Sequence, residues 1–373
     1  MEPRIQYAQT SDGVSIAFWT LGDGIPFVHM PMAAFSHGEL EWQFPDIRRW
    51  YERLAHKRKL VRYDGRGTGL SDRNVTNYSL EAHMLDLEAV VDGLGLERFA
   101  LFASLHLGPV AIAYTASHPE RVSHLLPWCT WARASDYYRS LQVQTFGSLR
   151  DKDWEIYTET IARAWLGWSE GERASRFAAF LRESGTQEAL QGFVQAAEQF
   201  DATSLLPQVK SPTLVLHRRQ LRLVGVELAK GLATRISGAR LALLEGGEVA
   251  PFVGDMEAVL AAIDEFLDEG EPAAAPEPPS GTAVILFADI ADSTALTERL
   301  GDTAFREKAR ELDGALRAAI RECEGTAVEG KLLGDGVLAV FTSARRAIEA
   351  ALACGQSGDE AGLPLHLGVH PAP

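Results

Sequence analysis

Cysteine is scarce: Cys129, Cys323 and Cys354 are the only three in 373 residues. They are widely scattered, form no CxxC pair and leave an odd count, so neither a disulfide framework nor a zinc site is indicated. Long apolar runs are missing as well. The least charged stretch, Ala100 to His118, carries Ser, His, Gly and Pro and fits a buried strand entering a helix better than a membrane span. The first residues, MEPRIQYAQTSDG, lack the apolar centre of a signal peptide. A cytoplasmic protein with no membrane span is the expectation. Positive charge is outnumbered, 36 Lys and Arg against 51 Asp and Glu, for a formal net charge of −15. Such a balance argues against a nucleic-acid partner, because duplex affinity is built mainly from cations neutralising phosphates. Nucleotides held through a metal ion remain compatible with it.

What is present is a globular composition, 46% hydrophobic and 23% charged. The length exceeds one ordinary core, so two domains are expected. One boundary is visible: residues 268–281, DEGEPAAAPEPPSG, are rich in Pro, Ala and Glu and cannot bury a core, which predicts a semi-extended linker. Before it, the short apolar runs PFVHMP, KLVRYDG, FALFAS and PTLVLHRR alternate with helical segments such as Ser79 to Leu94. Strands separated by helices imply a mainly parallel α/β sheet covered on both faces. Residues 131–206 interrupt the alternation with a helical stretch rich in Trp, Tyr and Phe, which reads as a cap over the carboxyl edge of the sheet. Most of those rings should form the cap's own core, and a minority should line a cavity.

After the linker the pattern predicts a strand over 283–289, helices over 292–300 and 303–322, strands over 326–333 and 336–342, a helix over 344–355 and a strand over 364–370. On the long helix Phe305, Ala309, Leu312, Leu316 and Ala319 share one face. The order is βαββαβ, a ferredoxin-like arrangement. Two aspartates, Asp289 and Asp335, fall at the ends or turns of apolar β-like runs, where their carboxylates could converge on divalent metal. Hard oxygen ligands suit Mg²⁺ or Mn²⁺ bound with phosphates, which points to phosphoryl chemistry on a nucleoside triphosphate. The competing use of Asp335-Gly336 is a type I′ hairpin turn.

The strings KLVRYDGRGTGLSD (59–72), GPVAIAYTASHPERV (108–122), SPTLVLHRR (211–219) and PFVGDMEAVLAAIDEFL (251–267) resemble the α/β-hydrolase family, in particular the subgroup fused to nucleotide cyclase domains. The resemblance implies an α/β-hydrolase fold with a helical cap over residues 1–267. It also implies a nucleophile elbow just before Gly108, followed in chain order by an acid and a histidine. Here those positions hold Leu105, Leu221 and Val249. A shifted register through Ser104 would place Phe102 and His106 where the tight turn needs small side chains. Ser104, His106 and Glu248 are therefore read as flanking residues. The apolar replacements imply a drier pocket, floored by Met30, Leu105, His106, Leu221 and Val249, for an apolar small-molecule effector.

The strings FADIADSTALTERLGD (287–302) and GKLLGDGVLAVF (330–341) resemble the class III adenylate/guanylate cyclase domain, here over residues 282–373 and only its N-terminal part. That resemblance implies two metal ions, Mg²⁺ or Mn²⁺, held by Asp289, Asp335 and the Ile290 carbonyl. It implies triphosphate contacts from Ala291, Asp292, Ser293 and Thr294, with Gly334 beside the nucleotide and Lys331 reading ATP. The transition-state Asn and Arg of the family lie beyond the last residue given. A homodimer is therefore expected to be nearly inactive, and a heterodimer with an intact cyclase could form one complete site. The main expectation is an adenylate-cyclase-type signalling protein governed by a ligand-sensing, triad-less hydrolase domain. The alternatives are a catalytically inactive regulatory or small-molecule-binding protein and, second, an esterase-like α/β-hydrolase.

Overall fold

Largely apolar runs of five to seven residues, with the short polar edge strand Gln6–Gln9 added, build the larger of two sheets, and the helices between them supply its cover. The structure, a computed structural model, describes residues 4–32, 35–167, 171–270, 284–323, 325–328, 336–341 and 343–371. The chain divides into two units, Met1–Glu271 and Pro272–Pro373.

In the first unit the elements run β1 (Gln6–Gln9), β2 (Ser15–Leu21), β3 (Ile25–His29), α1 (Pro45–Ala55), β4 (Arg58–Tyr63), α2 (Leu80–Gly93), β5 (Phe99–Ser104), α3 (Gly108–Ser117) and β6 (Val122–Trp128). They continue through α4 (Ala134–Tyr138), α5 (Leu141–Arg150), α6 (Trp154–Leu166), α7 (Gly171–Ser184), α8 (Gln187–Ala197), β7 (Leu214–Arg218), α9 (Val226–Arg235), β8 (Arg240–Leu244) and α10 (Met256–Gly270). The eight strands lie in the order β1-β2-β4-β3-β5-β6-β7-β8. β1 and β2 are antiparallel additions, joined to β4 by an antiparallel pairing, and the remaining neighbours are parallel.

Parallel strands buried on both faces need continuous apolar sequence, and FALFAS in β5 is buried at all six positions. Helix α2 starts where the sequence places it: the Ser79 hydroxyl accepts from the Ala82 amide at 3.2 Å and supplies the N-cap. Helices α1 and α10 pack together, tied by Arg53 to Glu257 at 2.6 Å, and Arg58 at the start of β4 pairs with Asp264 of α10. Between β6 and β7 the chain leaves the sheet for α4–α8, the predicted cap, whose Trp131 and Tyr137 rings stack at 3.9 Å with planes 7° apart. Trp131, Tyr137, Tyr157, Trp165, Phe177 and Phe180 are buried, so the aromatic content of this stretch is mostly internal packing.

The second unit contains β9 (Val284–Ile290), α11 (Ser293–Leu300), α12 (Asp302–Glu322), β10 (Thr326–Val328), β11 (Val337–Phe341), α13 (Ala344–Ala361) and β12 (Leu365–Pro371). Its antiparallel sheet has the order β10-β11-β9-β12. β9 alternates buried and half-buried positions, as a sheet covered on one face requires. Phe305, Leu312, Leu316 and Ala319 of α12 fill its core together with Leu286, Ala339 and Phe341, and Ala309 packs at the edge. Among the described residues no helix is long and apolar enough to cross a membrane.

Candidate functional site

The geometry that matters begins at the end of β5. Ser104 is extended, at φ −125° and ψ 152°. Leu105, the next residue, turns into the left-handed region at φ +49°. A left-handed conformation is strained for any residue with a branched side chain and persists only where the surroundings over-determine it. Here the Thr130 hydroxyl donates to the Leu105 carbonyl, and α3 begins at Gly108 directly against the Thr130 side chain. A Cβ at Gly108 would collide with that side chain, so only glycine lets helix and strand approach this closely. The result is a sharp strand-to-helix elbow that carries a leucine at its apex.

Leu105 and His106 line a cavity of about 60 Å³ beneath the cap, together with Tyr138, Phe146, Arg150, Trp165 and other cap residues. A neighbouring cavity of about 20 Å³ is lined by His29, Glu41, Tyr51, Arg62 and Ser104, among others, and has room for about one water. Met30, Leu221 and Val249 do not floor either space. They are buried in the main core, Met30 at 0% exposure, and this corrects the five-residue pocket expected from the sequence. Aliphatic side chains with no polar group to satisfy pack inward when the triad positions no longer require an open cleft.

The polar groups near the elbow are not arranged as a catalytic relay. The His106 Nε2 lies 3.0 Å from the Tyr138 hydroxyl, while its Nδ1 is buried without a hydrogen-bond partner. Desolvation, with a contribution from the Arg150 charge, pushes the His106 pKa down to about 3, so the ring is neutral at physiological pH. Glu248 lies 3.7 Å from the buried Arg218 guanidinium, and its Oε2 accepts from the Gly247 amide at 3.1 Å. The position after β7 is equally apolar: Leu221 is buried, and its amide bonds back to the Arg218 carbonyl at 3.3 Å. At the histidine position the Val249 carbonyl accepts from the Trp128 indole at 2.7 Å. Cys129 offers no substitute nucleophile, since burial pushes its thiol up to about 12.

A serine hydrolase of this type also needs an amide from the loop after β3 for its oxyanion hole. In that loop the Met30 amide donates to the Phe102 carbonyl at 2.9 Å, and Pro31 has no N–H. The first two donors of the loop are therefore missing as well as the triad. Sequence reasoning missed this point, although Pro31 stands in plain view immediately after His29-Met30.

In the second unit Asp289 lies on β9, opposite His366 of β12 and beside Gly336. Ile290 is buried and paired with Leu365. The Ala291 amide donates to the Pro364 carbonyl at 2.8 Å, which removes it from the proposed triphosphate contacts. Asp292 is left-handed at φ +52° and exposed, and Ser293 begins α11, with its carbonyl accepting from the Thr297 hydroxyl at 2.8 Å. Thr294 follows in that helix. Lys331, Gly334 and Asp335 lie outside the described residues. Among the described residues no group of three or more His, Cys, Asp or Glu could hold a metal ion.

No protein-family model matches the chain. Among curated proteins it is 25% identical over 220 residues to a putative carbamate hydrolase RutD of Caulobacter sp. (strain K31), covering 57% of this chain and 82% of that protein. It is 28% identical over 197 residues to a pimeloyl-[acyl-carrier protein] methyl ester esterase of Neisseria meningitidis serogroup B, covering 50% and 76%. Among solved structures it resembles a hydrolase from Pseudomonas aeruginosa PA01 with a TM-score of 0.60 at 22% identity, covering 71% of this chain and 98% of that one. The enol-lactonase from Burkholderia xenovorans LB400 gives 0.60 at 18% identity, covering 70% and 100%. An α/β-hydrolase fold thus accounts for about 70% of the chain.

These relatives overturn the main functional expectation. They are hydrolases, and the reading of the chain as an adenylate or guanylate cyclase making cyclic nucleotides is corrected accordingly. The reason is physical as well as comparative. That reading rested on two short strings, and an aspartate at a strand end or in an Asp-Gly turn is a common structural use of the residue. The ATP and metal assignments depended on that reading and have no independent support among the described residues.

Proposed function

We propose that the N-terminal unit binds an apolar small molecule at the position of a hydrolase active site and holds it without serine-type turnover. One observation carries this reading: the strained elbow is kept, but its apex is Leu105 and it faces an aromatic cavity. Elbow strain is normally tied to exposing a nucleophile, so its persistence under a leucine supports retention of the pocket rather than of the reaction. The curated relatives are named for carbamate and methyl ester chemistry, which favours carbonyl compounds with an apolar body as the ligand class. At about 60 Å³ the cavity is far below the roughly 300–1,000 Å³ of a ligand-filled site. Binding therefore requires the cap to move.

A second reading, hydrolysis by this chain, is favoured by those same relatives and requires a route of attack that does not pass through residue 105. Assays with short-chain p-nitrophenyl esters separate the two. The wild-type chain is expected to give no turnover above buffer, and so is Leu105→Ser, because a serine without a base at position 249 is a weak nucleophile. Wild-type turnover that survives Leu105→Ala would establish the second reading. For residues 284–371 the strand order supports a ferredoxin-like βαββαβ arrangement, and we assign no reaction to it.

A further inference from the structure

Helix α5 is attached to the rest of the cap by one narrow face. Val143, Phe146, Gly147 and Arg150 recur at helical spacing and all line the larger cavity, whereas Leu141 is 77% exposed and only Val143 of the ten residues is fully buried. Nothing lies within 4 Å of where a Cβ on Gly147 would stand. A helix held this lightly can lift without breaking the core, and lifting it enlarges the cavity directly. Among the described lining residues Arg150 is the only formally charged one. Its side chain is 15% exposed and its guanidinium is held by the adjacent Asp151, Nε to Oδ1 at 2.8 Å and Nη2 to Oδ2 at 3.3 Å. Asp151 itself is 53% exposed, so water can solvate it readily if it is displaced. On the elbow side the unpartnered Nδ1 of His106 adds a further polar group to a lining that is otherwise apolar and aromatic apart from the hydroxyls of Tyr137, Tyr138 and Tyr157. Since the Tyr138 hydroxyl can donate to Nε2, Nδ1 is free to carry the proton and act as a donor.

Building on the binding function proposed above, we infer that the ligand is an apolar molecule with one anionic oxygen group, which replaces Asp151 on Arg150 as α5 lifts over its hydrocarbon body. A partly buried guanidinium such as that of Arg150 binds a carboxylate in a fork geometry that an alcohol cannot match. The full-length chain, titrated with octanoate and with 1-octanol and followed by tryptophan fluorescence, tests the inference. Octanoate is expected to bind at least about tenfold more tightly than octanol. Arg150→Met should weaken octanoate by about tenfold to a hundredfold, the usual range for a hydrogen bond to a charged group, and leave octanol within about twofold. Asp151→Asn, which frees Arg150 without touching the cavity wall, should tighten octanoate. Equal affinity for the two compounds, or equal loss of both in Arg150→Met, overturns the anion site while leaving a binding pocket. Binding of neither compound overturns the pocket itself and the anion site with it.

Discussion

Arg62→Met is expected to destabilise the N-terminal unit by about 3–5 kcal/mol, the range for removing one partner of a buried ion pair. Arg62 and Glu41 are 1% and 3% exposed, and their charges meet at 2.6 Å. The guanidinium also donates to the Tyr51 hydroxyl at 2.9 Å and to the Tyr63 carbonyl at 2.7 Å, while Tyr51 donates to Glu41 at 2.7 Å. Burial is the largest influence on Arg62 and opposes its charge, but Glu41, Tyr51 and Asp64 outweigh it and hold the group firmly protonated. Removing the cation leaves the Glu41 carboxylate buried with only a phenol beside it. The loss should lower the melting temperature by about 6–20 °C, given about 2–4 °C per kcal/mol for a domain of this size. All eight tryptophans lie between residues 19 and 168, so tryptophan fluorescence during urea unfolding reports this unit alone. If the unpaired charge is the cause, Glu41→Gln combined with Arg62→Met should recover much of the loss. A single variant as stable as wild type would show that the network contributes little.

Acid is expected to unfold the same unit early, because histidines are buried in the neutral form, His29 and His106 most strongly. His29 donates from Nδ1 to the Met30 carbonyl at 3.0 Å, and its Nε2 accepts from the Trp50 indole at 3.2 Å. Desolvation, with the Arg62 charge behind it, pushes its pKa down to about 3, as desolvation does for His106. Both groups titrate near 6.5 in an unfolded chain. Between those limits the unfolded state binds protons that the native state does not, so stability falls as the pH drops below 6.5. Each histidine accounts for about 1.4 kcal/mol per pH unit, and the pair for about 5 kcal/mol between pH 6 and pH 4. Their stabilising contribution is fully present above 6.5. Urea midpoints measured across that interval should decline steeply in the wild type. His29→Phe or His106→Phe should each flatten the decline by close to one proton. An unchanged slope in both variants would contradict burial of neutral rings.

Much of the larger fold was legible because each central strand must be apolar along its whole length. FALFAS and PTLVLHRR contain β5 and β7, and KLVRYDG covers β4 except for its first residue, Arg58. Of the strands that escaped notice, β2 carries a buried apolar run, IAFW, and was simply missed, whereas the others lack that signature. β6 reads VSHLLPW, with Ser, His and Pro inside it, and β8 begins at an exposed arginine. β1, with three of its four residues exposed, belongs to the antiparallel edge of the sheet, where the apolar requirement relaxes.

The elbow was legible from the register of GPVA against the glycine-flanked serine motif, and the structure puts Leu105 at the left-handed position. Arg150 was not legible as a cavity residue. It sits on a helix whose sequence, LQVQTFGSLR, mixes polar and apolar residues and buries only Val143. Arg62 was hidden differently, since a charge within an apolar run reads as an exposed edge until its partner Glu41, distant in sequence, is placed beside it. The cyclase reading shows the opposite failure, in which two short strings were given more meaning than their residues could carry.

The central claim, binding at a hydrolase site without a serine-type reaction, is tested most directly by stopped-flow mixing of the full-length chain with a p-nitrophenyl ester of a medium-chain acid. Tryptophan fluorescence follows binding while absorbance follows release of nitrophenol. The account predicts a saturable fluorescence change with no burst of nitrophenol. A burst stoichiometric with protein would contradict it, by showing that an acyl-enzyme forms at this site despite Leu105.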